Sequence, residues 1–242
     1  MLNIENTANI LGIVISGSCK DFMALHDALK SVIGDDGEFF HEADARSRVD
    51  ALCRGIQIAC PQMLDSSKPG VSTTHSLRLL WPEAAFIAAV LDNFVLLTNA
   101  RKLYSKLLPK ESCSGAQTFP TDSVVLIHYF QELVWCRLEG IVGSNRMKFI
   151  FGNYNDLRSA HFKFPQFDGF CTLWIDLLNM QYLLSPADGR SNCLAALLNR
   201  LFLLDENYLN LKGSFRSYAK QEGVYITSTS ITGCINSNSF VW

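Results

Sequence analysis

The sequence lacks the short motifs that identify the common catalytic sites. It contains no H-E-x-x-H zinc motif, no paired Glu-x-x-His motifs of the kind found in di-iron bundles, and no G-x-S-x-G nucleophile elbow. Its eight cysteines are scattered without any C-x-x-C pair. In a chain without export signals we interpret them as reduced core thiols rather than a disulfide framework. The sequence therefore assigns no catalytic residue.

The chain also has little charge and no long apolar run. Charged residues make up 18% and the formal net charge is −2, and without a basic stripe a nucleic-acid partner is not expected. The N-terminus has no basic region ahead of its apolar residues, so no signal peptide is predicted. The longest apolar stretch, 84–97, is interrupted by Asp92 and Asn93 and is shorter than the roughly 20 residues that span a bilayer. We therefore expect no transmembrane segment and a cytoplasmic location.

Two segments are apolar around almost their whole circumference when they are plotted as helices. They are residues 121–143, which begin at an N-capping threonine and end at a glycine, and residues 166–184. Helices of this kind are buried by their neighbours. The sequence thus predicts a mainly α (α+β) fold, a multi-helix bundle around these two central helices, with short strands at 9–16 and 224–231.

The remaining pattern predicts further helices and one domain. Helical spacing or capping residues indicate helices at 21–33, at 43–59, from Trp81 to about Leu108, and from Pro186 to about Gly223 with a break near Asp205. Residues 145–164 are left unassigned, and 65–76 and 110–120 are interpreted as loops. We expect a single globular domain over 1–242, with the 109–120 loop as the place where it could divide.

Polar side chains on the two central helices are the candidate metal ligands. His128, Glu132 and Glu139 share one stripe of the first helix, and Asp176 lies on a polar stripe of the second. Carboxylates and an imidazole that converge between helices can hold a divalent transition metal, which would make the protein a metal-dependent, hydrolase-like enzyme. The alternative, which we favour, is that each stripe meets solvent or that its groups bind one another.

The N-terminal segment carries a family resemblance. The sequence ILGIVISGSCKDFMALHDALKSVIGDD, residues 10–36, resembles the start of small bacterial proteins that are grouped as a family of unknown function. The resemblance implies a bacterial, cytosolic origin and assigns no functional residue.

Composition favours a protein that works by association. Hydrophobic residues make up 48% and aromatic residues 11% of the chain, and the mean hydropathy is +0.12. Apolar surface in excess of what the core needs is commonly buried at a subunit interface. The leading hypothesis is therefore a non-catalytic helical protein that acts through protein–protein contacts or self-association, as a homo-oligomer without a cofactor.

Overall fold

Helices dominate the fold. The structure, a computed structural model, describes residues 1–35, 38–39, 42–63, 74–107, 121–161, 169–203 and 206–222. The strands are β1 (Asn3–Asn6), β2 (Gly12–Gly17) and β3 (His75–Leu80). The helices are α1 (Cys19–Ile33), α2 (Ala43–Ala59), α3 (Trp81–Leu107), α4 (Thr121–Val142), α5 (Ser144–His161), α6 (Gly169–Leu184), α7 (Arg190–Leu203) and α8 (Glu206–Glu222). The predicted mainly helical α+β fold is confirmed.

The three strands form one antiparallel sheet with β2 in the middle. Ile4 lies opposite Ile15, and Ile13 lies opposite Leu79. The side chains of Ile4, Ile13 and Ile15 are fully buried, because one face of an antiparallel sheet packs against the helices. At Gly12 the backbones of β2 and β3 approach closely: a Cβ placed there would lie 2.0 Å from the Leu79 carbonyl oxygen. Only glycine fits this position.

The first part of α3 is buried on every side. All residues from Trp81 to Leu91 are buried, and the Trp81 amide donates a hydrogen bond to the Leu11 carbonyl oxygen at 3.2 Å, so the helix begins against the sheet. Helices α1, α4, α6 and α7 pack around it. Among the described helices, this one is long and apolar enough to cross a membrane, over Trp81–Arg101, yet 72% of its most apolar window is buried inside the protein.

Side chains from the second half of the chain hold the N-terminal segment through its backbone. Arg137 Nε donates to the Ile4 carbonyl oxygen and Arg190 Nη1 to the Asn9 carbonyl oxygen, both at 2.7 Å. Tyr182 donates its hydroxyl to the Ile10 carbonyl oxygen. The three bonds give backbone carbonyl oxygens of this segment hydrogen-bond partners on α4, α6 and α7.

The helix predictions agree with the structure, and α5 adds one that was left open. Predicted helices 21–33, 43–59, 121–143 and 166–184 correspond to α1, α2, α4 and α6. The break expected near Asp205 lies outside the described residues. The sequence leaves 145–164 unassigned because aromatic residues suit a strand, a helix or a loop. Helix α5 shows that 145–161 are helical, and 162–164 lie outside the described residues.

The strands were harder to predict. The strand expected at 9–16 is observed as β2, at 12–17. The strand expected at 224–231 lies outside the described residues. Neither β1 nor β3 was predicted, because β1 has only four residues and β3 begins inside a stretch whose composition is typical of a loop.

Candidate functional site

A groove of about 500 Å³ lies between α5 and α7. Four residues of each helix line it, at spacings that place them on facing sides of the two helices: Asn145, Arg146, Phe149 and Ile150 on α5, and Asn192, Ala195, Ala196 and Asn199 on α7. Its volume is within the range of pockets that bind small molecules or side chains of a partner.

The groove combines a protruding ring with a hollow. Phe149 is 63% exposed, which is unusual for so large an apolar side chain, whereas Ile150 beside it is buried. On the facing helix Ala195 and Ala196 have only a methyl group each, so they leave space above the helix surface. The result is an apolar surface with a projection and a depression next to each other.

The edge of the groove is polar. Arg146 Nη1 donates to Asn192 Oδ1 at 2.8 Å, which links the two helices across the edge. Asn199 Oδ1 is buried and has no hydrogen-bond partner within the part of the chain that the structure describes. A buried acceptor without a donor is unfavourable.

An aromatic cluster beneath the groove holds α5 and α7 in place. The rings of Trp135 and Phe151 meet edge to face, with centroids 5.0 Å apart, and Phe151 and Phe202 lie 5.9 Å apart. Such ring pairs add about 0.5–1.5 kcal/mol beyond the burial of their area. The groove is therefore supported by a packed layer that connects α4, α5 and α7.

Three of the four predicted metal ligands lie on an exposed stripe of α4. His128, Glu132 and Glu139 are all exposed. The imidazole Nδ1 of His128 donates to Gln131 Oε1 at 3.0 Å, and Glu132 accepts from the Cys136 thiol at 3.3 Å. The stripe therefore faces solvent, and two of its three side chains bond a polar neighbour on the same helix.

The fourth predicted ligand, Asp176, is buried in a network of its own. Arg48 Nη2 donates to Asp176 Oδ1 at 2.5 Å and to the Thr172 carbonyl oxygen at 2.8 Å, while Arg48 Nη1 lies 3.3 Å from Glu83 Oε2. Asn179 Nδ2 donates to the same Glu83 oxygen at 2.8 Å. Burial raises the pKa of Glu83, although Arg48 and Asn179 oppose the rise. The Arg48 guanidinium thus places a positive charge directly against the Asp176 carboxylate.

Among the described residues, a set of metal-ligand atoms other than the predicted one lies close together. One group of three has its ligand atoms within 4.8 Å of one another: Cys19, Cys60 and His75. None of them was predicted, and His128, Glu132, Glu139 and Asp176 form no such group among the residues searched. The three are separated by long stretches of sequence, so no local spacing signals that they meet.

Comparison with known proteins gives a family and no function. No curated protein and no solved structure matches the chain significantly. A family model described as a domain of unknown function, DUF6904, matches residues 2–242. The match extends the resemblance seen at the N-terminus to nearly the whole chain. The chain belongs to the DUF6904 family of domains of unknown function.

Proposed function

We propose that the protein is a non-catalytic helical protein that works by binding, and that it self-associates as a homo-oligomer through the α5–α7 groove. The observation that carries the proposal is the projection and depression within one surface. In a twofold symmetric interface the same surface is used by both subunits, so it must be complementary to itself. Phe149 of one subunit then enters the hollow above Ala195 and Ala196 of the other.

The polar edge supports the same arrangement. Arg146 is the charged residue among those that line the groove. It is exposed at the edge, where it donates to Asn192, so its charge stays in water while the apolar centre of the groove meets the other copy. Amide groups at Asn145 and Asn199 can donate and accept at once.

The oligomer is tested by light scattering coupled to size-exclusion chromatography, from micromolar to tens of micromolar protein. We expect a dimer for the wild type and a monomer for Phe149→Asp and Ala196→Arg, because the first places a charge in the apolar interface and the second fills the hollow. Ile58→Asp is the matched control, since Ile58 is 79% exposed on α2, outside the groove. This variant should remain dimeric.

A wild-type monomer at every concentration would refute self-association. A dimer that Ile58→Asp disrupts and Phe149→Asp leaves intact would place the interface elsewhere. The cytoplasmic location and the bacterial origin expected from the sequence belong to the same proposal and stay predictions.

A further inference from the structure

Three side chains with metal-ligand atoms lie where four elements begin or end: Cys19, Cys60 and His75. Cys19 is the first residue of α1, Cys60 directly follows α2, and His75 is the first residue of β3. His75 pairs with Gly17, the last residue of β2. Because each residue is fixed by a regular element, the three side chains meet at one end of the sheet without depending on a long loop for their positions.

The local hydrogen bonds fix each backbone position. Ser18 caps α1: its hydroxyl accepts from the Asp21 amide at 3.3 Å, and its own amide donates to Asp21 Oδ2 at 2.9 Å. The Cys60 amide donates to the Ile56 carbonyl oxygen at 2.9 Å, which closes the last turn of α2. Cys60 is fully buried, whereas Cys19 and His75 are partly exposed.

The hydrogen bond of His75 orients its imidazole ring and fixes its tautomer. Its Nδ1 lies 3.0 Å from the Ala59 carbonyl oxygen. A carbonyl oxygen only accepts, so in this bond Nδ1 carries the proton and the lone pair is on Nε2. Metal-binding histidines usually donate their second ring N–H to a carbonyl or carboxylate in this way. The ring is also positioned by Phe22, with centroids 6.3 Å apart.

We infer that Cys19, Cys60 and His75 form a binding site for a thiophilic divalent cation, with zinc as the ion it fits best. Two sulfur atoms and one nitrogen are the ligands that zinc prefers, whereas magnesium and calcium take oxygen. With zinc–ligand bonds of about 2.0–2.3 Å at tetrahedral angles, ligand atoms are roughly 3.5–3.8 Å apart. The observed limit of 4.8 Å is within about 1 Å of that separation, which side-chain rotation can supply.

The charge of the two thiolates also favours a divalent cation such as Zn²⁺. On binding, the two thiols release two protons, and the resulting two thiolates neutralise Zn²⁺. A neutral complex is the form that a site containing the fully buried Cys60 accommodates at the least cost in desolvation. The described residues supply three ligands; three protein ligands plus a water or other exchangeable group complete a tetrahedral zinc site.

This inference is independent of the α5–α7 groove, and Co²⁺ is the probe that tests it. Untagged protein is reduced, freed of metal with a chelator and titrated with Co²⁺ without oxygen. We expect one equivalent to give the intense visible bands of tetrahedral cobalt and a thiolate-to-cobalt charge-transfer band. One equivalent of Zn²⁺ should then remove both. If a thiol count shows that all thiols are reduced and these bands still do not appear, the inferred site is refuted.

Paired variants assign the ligands. Cys19→Ser and His75→Ala should each weaken Zn²⁺ binding by at least about 100-fold, since even changes behind the ligands cost roughly 10- to 100-fold. Cys136→Ser and His26→Ala are the controls, because both residues lie outside the group. Circular dichroism checks that every variant is folded. The cobalt spectrum of the wild type tests the site even if a variant does not fold. Unchanged binding in both Cys19→Ser and His75→Ala would refute the assignment.

The effect of zinc on stability gives a second measurement. A ligand that binds only the folded state raises the melting temperature. We expect added Zn²⁺ to raise it for the wild type, Cys136→Ser and His26→Ala, and to leave it unchanged for Cys19→Ser and His75→Ala. Equal shifts in all five proteins would show that zinc binds elsewhere and would overturn the inference.

Discussion

Arg48 and Asp176 form a buried ion pair between α2 and α6, in which one guanidinium nitrogen bonds both the carboxylate and the Thr172 carbonyl oxygen. The side chain of Arg48 is 12% exposed and that of Asp176 is 4% exposed. Removing one partner of such a pair leaves the other charge buried and alone, which costs more than the pair contributes. Mutation of either residue should therefore weaken the packing between α2, α3 and α6.

Replacing Arg48 should destabilise the protein strongly. We expect Arg48→Met to lower the free energy of unfolding by about 3–5 kcal/mol, because Asp176 and Glu83 lose their shared cation. Urea unfolding followed by circular dichroism measures the change. The control is Lys30→Met, which breaks the pair between Lys30 and Asp50, in which the lysine is 48% exposed. That change should cost less than about 1 kcal/mol, and similar losses in the two variants would contradict the prediction.

Glu83 should make stability depend on pH. Its pKa in the folded protein is raised above the ordinary value of 4.5, chiefly by burial, so the folded state holds this proton more tightly than the unfolded state does. Its contribution to stability is complete below pH 4.5 and is lost as the pH rises through the folded pKa.

The test compares the wild type with Glu83→Gln, whose amide has no proton to lose. Urea midpoints are measured at a series of pH values upward from 4.5. We expect the wild type to lose stability relative to Glu83→Gln as the pH rises, and then the difference to become constant above the folded pKa. A difference that does not vary with pH would show that burial leaves this carboxyl unperturbed.

Gly12 should tolerate no side chain. A methyl group there would overlap the Leu79 carbonyl oxygen, so we expect Gly12→Ala to separate β2 from β3 and to cost about 1–3 kcal/mol. Gly140→Ala is the control, because no atom of the described residues lies within 4 Å of the added carbon on α4; alanine should stabilise that helix by roughly 0.5–1 kcal/mol. Thermal unfolding distinguishes the two, and equal melting temperatures would contradict the close approach of the strands.

Cysteine reactivity should follow burial. Burial raises the pKa of the Cys53 thiol to about 12, so at pH 8 only about one molecule in ten thousand carries the reactive thiolate. Cys136 is exposed on α4, and although a hydrogen bond to Glu132 raises its pKa, reagents can reach it. Peptide mass mapping after brief iodoacetamide treatment should find Cys136 modified before Cys53. The reverse order would indicate that the α2 core opens readily.

The sequence predicts the helices of this protein far better than its sites. Long periodic segments such as 43–59 and 121–142 are recognisable because burial repeats with the helical period. The stripe of His128, Glu132 and Glu139 was recognisable for the same reason. However, periodicity alone does not say whether such a stripe faces solvent or another helix.

The missed features depend on tertiary structure. Arg48 crosses from α2 to bond groups on α3 and α6, a contact that the helical spacing of 43–59 does not indicate. Cys60 and His75 lie close together because α2 ends near the residue at which β3 begins, at one end of the sheet. No local sequence pattern reveals this. The α5–α7 groove requires two helices at a defined separation, and residues 145–164 could not even be assigned as a helix.

The bonds from Arg137, Tyr182 and Arg190 to the N-terminal backbone constrain the order of folding during synthesis. Residues 1–17 are synthesised well before these partners, and the last of the three bonds can form only after Arg190 has been made. Until then the β1–β2 hairpin lacks part of its native contacts and exposes apolar side chains. Chains in this state tend to aggregate or to bind chaperones. Expression yield should therefore depend on translation speed and on chaperone supply more than the modest size of the chain suggests.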